Sequence, residues 1–199
     1  MANYDKSIEN FKAKLAFGGV RPTMFQVEIT LPDGLTAPDN EAAETAHYLV
    51  KAAQLPASTV GVIDVPFRGR KLKVSGDRSY ADWSTTITND HSFGLRVTLE
   101  KWSELVQNHN FVLGANELRN YFGSAIVRQL DRDAQQIRAY KFEGIWPSTV
   151  GEIGLDFDST DQVEFYDCTW AVQYWTAIEF GDPTTGGARS NVGTGSIIT

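Results

Sequence analysis

From Met24 to Leu31 the chain alternates, with Phe25, Val27, Ile29 and Leu31 on one side and Gln26, Glu28 and Thr30 on the other. A period of two predicts a half-buried strand, and Pro32-Asp33-Gly34 closes it with turn chemistry. Tyr48–Ala53 resumes a strand. Another is predicted over Val60–Val65, where Pro66 marks an end or an edge. Along Asp82–Thr88, Trp83, Thr85 and Ile87 point inward. Further strands are predicted over Ala125–Leu130, Ile137–Ile145, Gly151–Phe157 and Val163–Phe180. The last alternates most clearly. Tyr166, Cys168, Trp170, Val172 and Tyr174 share one face, opposite Asp167, Thr169, Ala171 and Gln173.

One segment changes period. Leu95, Leu99, Trp102 and Val106 recur at helical spacing and form an apolar stripe. Asn89, Asp90 and Ser92 offer capping oxygens ahead of it, and Arg96, Glu100, Lys101 and Glu104 fall on or near the opposite side. A shorter amphipathic helix or arm is expected over Asn3–Lys14, stopped by Gly18-Gly19. About seven strands and one helix give a mainly β fold, a two-sheet sandwich or small barrel whose open end or face the helix covers. Trp83, Trp146 and Trp170 are assigned to its core.

Length and composition narrow the function. The 199 residues suit one domain, and a chain of this size buries about 70% of its unfolded surface without metal or disulfide. Cys168 is the single cysteine, so no intrachain disulfide is expected. Between Tyr166 and Trp170 it acts as a small hydrophobe rather than a nucleophile. No apolar run approaches the ~18 residues of a membrane span, and the N-terminus carries no signal-peptide core. A soluble protein that stays in the cell that makes it is expected. The net charge of −7, from 18 basic and 25 acidic residues, argues against tight DNA binding, which depends on neutralising phosphates. It equally serves plain solubility.

Catalytic chemistry finds no template. There is no GxSxG, P-loop or GxGxxG after a strand, and His47, His91 and His109 lack zinc spacing. Asp156–Asp161 suggests a calcium loop, but Asp161 stands where glycine is needed and Asp167 where glutamate is needed. An acidic hairpin turn is the simpler reading. Asp131 and Asp133 lie on a strand or in a turn and are not read as a catalytic acid pair. No enzyme activity, cofactor or metal is expected.

The sharpest charge feature is Arg68, Arg70, Lys71, Lys73 and Arg78, punctuated by Gly69 and Gly76. By itself it fits nucleic acid or a solvated edge strand. A projection that meets acidic groups on a neighbouring subunit fits this acidic chain best. Asp77 is placed to bond local backbone or pair with an arginine.

Three ordered blocks carry a resemblance. The first is Arg21-Pro22 with Phe25–Ile29. The second runs from Leu55-Pro56-Ala57 through Val60 to Asn89-Asp90, with Gly76-Asp77-Arg78 and Asp82-Trp83 at its centre. The third starts at Ser124–Gln129, passes Arg132-Asp133-Ala134 and Gly144–Glu152, and ends at Tyr174-Trp175. In their order and spacing these resemble the tail tube proteins of contractile-tailed bacteriophages, over roughly two thirds of the chain. The segment 33–47 looks longer than in that family, and 181–199 looks like an added, flexible extension beyond a tube domain spanning 1–180.

The resemblance implies a structural virion protein, a subunit of hexameric rings whose strands join into one continuous β-barrel. The rings stack into a tube that conducts DNA inside a contractile sheath. It implies that 66–82 is an inter-ring loop, with Arg68, Arg70, Lys71, Lys73, Asp77 and Arg78 as subunit contacts. Implied partners are further copies of the chain, the tail sheath protein, baseplate and tail terminator proteins, and passing double-stranded DNA without tight binding. No membrane is involved. The protein would reside in the virion tail after assembly in the host cytoplasm. A tube protein of a contractile injection or type VI secretion system, a baseplate tube initiator, and an acidic monomeric binding module remain alternatives.

Overall fold

A computed structural model of the chain describes residues 8–15, 19–35, 46–109 and 117–178. In chain order the elements are α1 (Ile8–Lys14), β1 (Phe25–Thr30), β2 (Val50–Ala53), β3 (Ser58–Phe67), β4 (Arg70–Tyr80), β5 (Trp83–Thr88), α2 (Gly94–Val106), β6 (Gly123–Leu130), β7 (Gln136–Val150), β8 (Phe165–Ala171) and β9 (Tyr174–Ile178). The mainly β, two-sheet expectation is borne out, and α1 is the short helix expected within Asn3–Lys14, whose first residues lie outside the described ones.

The 15-residue strand β7 builds both sheets. Its first half pairs with β6 and β9, and β1 lies beyond β6. Its second half pairs with β8, which continues through β5 to β2. The switch falls at Gly144, whose φ is +63°, opposite a bulge between Gly123 and Ser124. An extra residue bends a strand and increases its twist, and glycine adopts this φ without strain. The expected strand over Ile137–Ile145 therefore runs five residues further, into the other sheet.

The inward residues meet between the sheets. Val27, Ile29, Ala125, Val127, Phe142 and Ile145 come from the first sheet; Trp83, Ile87, Tyr166, Cys168 and Trp170 come from the second. Helix α2 adds Leu95, Leu99 and Trp102, as its stripe predicts. Aromatic rings run through the core in a chain: Trp102 edge-on to Trp170, Trp170 beside Trp83, and Trp83 stacked on Phe142 at 4.9 Å. The Thr85 hydroxyl accepts from Trp170 Nε1 at 3.0 Å, so one buried indole donor is satisfied.

Five expectations change. Tyr48 and Leu49 are helical, so the strand expected from Tyr48 begins at Val50. Trp146 is half-buried against the core rather than within it. Gly151–Phe157 forms no strand; it leaves the sheet once Gly151 N–H has bonded Asp167 O. The expected Val163–Phe180 strand is two strands over its described part, because the chain breaks step at Val172-Gln173 to cross between sheets, and Tyr174 is left exposed; its last two residues and the expected 181–199 extension lie outside the described residues. Of the capping oxygens, Ser92 Oγ reaches Gly94 N–H, while the N-cap itself is Phe93, at φ 55° and without a side-chain cap.

Candidate assembly interface

Strands β3 and β4 form a two-stranded sheet of their own. The stretch read as a basic excursion over 66–82 is thus mostly strand: β4 is the return arm of a hairpin that leaves the body at Ser58. Pro66 does not end β3. It sits within it opposite Lys71, a place open to proline because each arm has only one neighbour. The arms reverse through Arg68 and Gly69, at φ 45° and 79°. Positive φ at both central residues suits the hairpin turn whose twist matches the strands. At about 3.3 Å per residue, the ten residues of β3 span about 33 Å.

At the base Ala81 N–H bonds Ala57 O at 3.0 Å and closes the hairpin, and Tyr80 meets Trp175 of the body edge-on. Nearly every other residue of the ribbon is exposed. A bulge between Val60 and Val62 falls where Gly61 and Gly76 pack backbone to backbone, leaving a Cβ on Gly76 only 3.2 Å from Gly61 C.

The register sorts the side chains. Ile63 faces Val74, Val65 faces Leu72, and Phe67 faces Arg70, so these six share one side. Asp64, Lys71 and Lys73 share the other, where Asp64 accepts from Lys71 at 3.2 Å and pairs with Lys73 at 3.6 Å. Pairs this exposed contribute about 0–1 kcal/mol each. Arg68 lies over the Phe67 ring, 5.3 Å from its centroid. Among the described residues no carboxylate pairs with Arg68, Arg70 or Arg78. The six predicted contact residues, Asp77 included, therefore lie on one ribbon, but Lys71 and Lys73 share one ion-pair partner, Asp64, while among the described residues the arginines have none.

Sequence reasoning missed the apolar side. Ile63, Val65, Phe67, Leu72 and Val74 are 39–67% exposed, and only Ile63 and Val65 fell in a strand that was expected. Alternating residues mirrored about Arg68-Gly69 were the available signal.

The body leaves sheet borders open as well. Among the described residues β1 pairs only with β6, β9 only with β7, β2 only with β5, and the second half of β7 only with β8. Unpaired backbone along such edges is a template for another strand.

Elsewhere, burial keeps two titratable groups in their neutral form. Burial pushes the Cys168 thiol up to about 12, against a small opposing effect of Arg96. Burial, and then Cys168, also raise Tyr166. Asp131 Oδ1 accepts from Asp133 and Gln135 N–H in a turn, and Asp156 Oδ1 accepts from Asp158 N–H in another. Two surface hollows of about 440 and 490 Å³ are lined by Trp146 and His109, and by Arg119 and Glu143.

A family model described as phage tail tube protein matches residues 20–178. The chain belongs to this family. It is 34% identical over 156 residues to the tail tube protein gp19 of Enterobacteria phage T4, covering 78% of this chain and 90% of the relative. Its identity to gp19 of Enterobacteria phage T6 is 33% over the same share of both chains. The fold also resembles a chain of the anti-feeding prophage baseplate, with a TM-score of 0.60 at 10% identity over 80% of this chain and 95% of that one. The tail tube expectation is thus borne out, and with it a structural component of the phage tail.

Proposed function

We propose that this tail tube protein assembles into closed hexameric rings, stacked inside a contractile sheath as the conduit for DNA. The observation that carries the reading is the ribbon of β3 and β4, which leaves the body and presents an uncovered apolar side. A lone two-stranded hairpin is marginal in water; one this long gains its stability against a partner. The open borders supply a second contact. An edge of one copy pairs with an edge of the next, a head-to-tail interface that closes by rotation.

In this reading Arg68, Arg70 and Arg78 are contact cations between subunits, and Asp77 shapes the bulge beside them. The outward side of the first sheet carries Arg128 paired with Glu28 and Lys141 paired with Glu143. Cations already held by carboxylates suit a wall past which phosphates slide. The sheath, baseplate and terminator proteins are the further partners, and the host cytoplasm is the place of assembly.

Negative-stain microscopy and sedimentation of the purified protein test this. Rings or tubes are expected, and a 22.1 kDa particle at every concentration refutes it. Arg70→Glu should weaken polymerisation and leave the thermal unfolding of the subunit unchanged. Normal tubes at physiological salt would remove Arg70 from the interface.

A further inference from the structure

The ribbon side that carries Ile63, Val65, Phe67, Leu72 and Val74 also carries Arg70. Its occupant must therefore be apolar and acidic at once. One described segment of the same chain has that character. Residues 151–164 hold five carboxylates, Glu152, Asp156, Asp158, Asp161 and Glu164, and no lysine or arginine. They also present Leu155 at 80% exposure and Phe157 fully exposed.

The segment is fastened at both ends. Gly151 N–H bonds Asp167 O at 2.7 Å, and Glu164 O accepts from Asn89 N–H at 2.9 Å. Between these anchors it is held out as an irregular lobe, with turn bonds from Ser159 N–H to Asp156 O and from Thr160 N–H to Asp158 O. Among the described residues no hydrogen bond or ion pair joins ribbon and lobe within one chain.

We infer that the apolar side of the ribbon docks on the 151–164 lobe of a neighbouring copy, with Arg70 set against its carboxylates. This inference rests on the ring-and-tube reading and names the two surfaces that meet in it. Complementary charge selects the register and rejects like-charged pairings. Apolar burial supplies the attraction. Because ribbon and lobe are different surfaces, the contact is head-to-tail and repeats from copy to copy.

Photo-crosslinking tests it. Subunits with Phe67 replaced by p-benzoylphenylalanine are mixed, as an isotope-labelled minor fraction, into wild-type protein, assembled and irradiated. Mass spectrometry should find labelled-to-unlabelled crosslinks into 152–164. In parallel, the double variant Asp156→Arg, Asp158→Arg should raise the concentration needed for assembly about tenfold, and adding Arg70→Glu should bring it back to within about threefold. Crosslinks elsewhere on assembled tubes, an unaltered assembly threshold, or no restoration by Arg70→Glu each overturn the inference and leave the tube reading standing. Wild-type protein that forms no rings or tubes overturns both.

Discussion

One methyl group added at Gly123 probes how tightly helix and sheet are fitted. A Cβ there would lie 2.5 Å from Thr30 O and 2.5 and 2.7 Å from Trp102 Cη2 and Cζ2. Carbon contacts settle near 3.5–4.0 Å, so each overlap is about 1 Å. Neither neighbour can retreat cheaply. Thr30 is paired opposite Ser124 in the first sheet. Trp102 is fully buried, donates Nε1–H to Tyr121 O at 2.7 Å and abuts Trp170.

Overpacking typically costs about 1–3 kcal/mol, and two rigid neighbours place Gly123→Ala near the top, at about 3 kcal/mol. For a domain of this size each kcal/mol lowers Tm by about 2–4 °C, which gives a fall of about 6–12 °C. The assay is thermal unfolding of unassembled subunits by tryptophan fluorescence, since association would shift Tm by mass action. Trp102→Phe removes the two clashing ring atoms, so the double variant should lose less than the sum of the singles, by about 1 kcal/mol. A Tm for Gly123→Ala within about 2 °C of wild type would refute the reasoning. Helix α2 would then be free to slide on the sheet.

Trp83→Ala opens a cavity between Phe142 and Trp170 and should cost about 3–5 kcal/mol by urea unfolding; a loss below about 1 kcal/mol would place Trp83 outside the core. Replacing Val62–Ser75 by a two-residue Asn-Gly turn should leave the subunit folded, with native tryptophan emission, yet unable to form tubes. An unfolded product would mean that the ribbon supports the body. The raised Cys168 thiol sets an alkaline limit. Folded and unfolded chains both keep this proton below pH 9; above it the unfolded thiol ionises from 9.0 while the folded one stays neutral to about 12. Stability should therefore fall across that window, by up to about 1.4 kcal/mol per pH unit, and the fall should be shallower in Cys168→Ala.

Periodicity alone located β1, β5 and α2, because in each the burial pattern is a local alternation of one period against one core. Phe25–Thr30 and Trp83–Thr88 bury every second residue, and Leu95, Leu99 and Trp102 mark one helical face. The same alternation marks β3, but Ile63, Val65 and Phe67 face no core. Whether an apolar row is covered depends on what stands opposite, and a local pattern carries no such information.

The sequence by itself therefore determined a mainly β protein without a template for catalysis, a helix closing the core, and a basic, glycine-marked stretch that six contact residues share. The tertiary structure decided that this stretch is one arm of a projecting ribbon, that Asp64 pairs with two of its cations, and that β7 crosses from one sheet to the other at Gly144. Each of these depends on residues far apart in the chain, or on the absence of a neighbour. Strand pairing and exposure are properties of the assembled fold, fixed only when distant segments take their places.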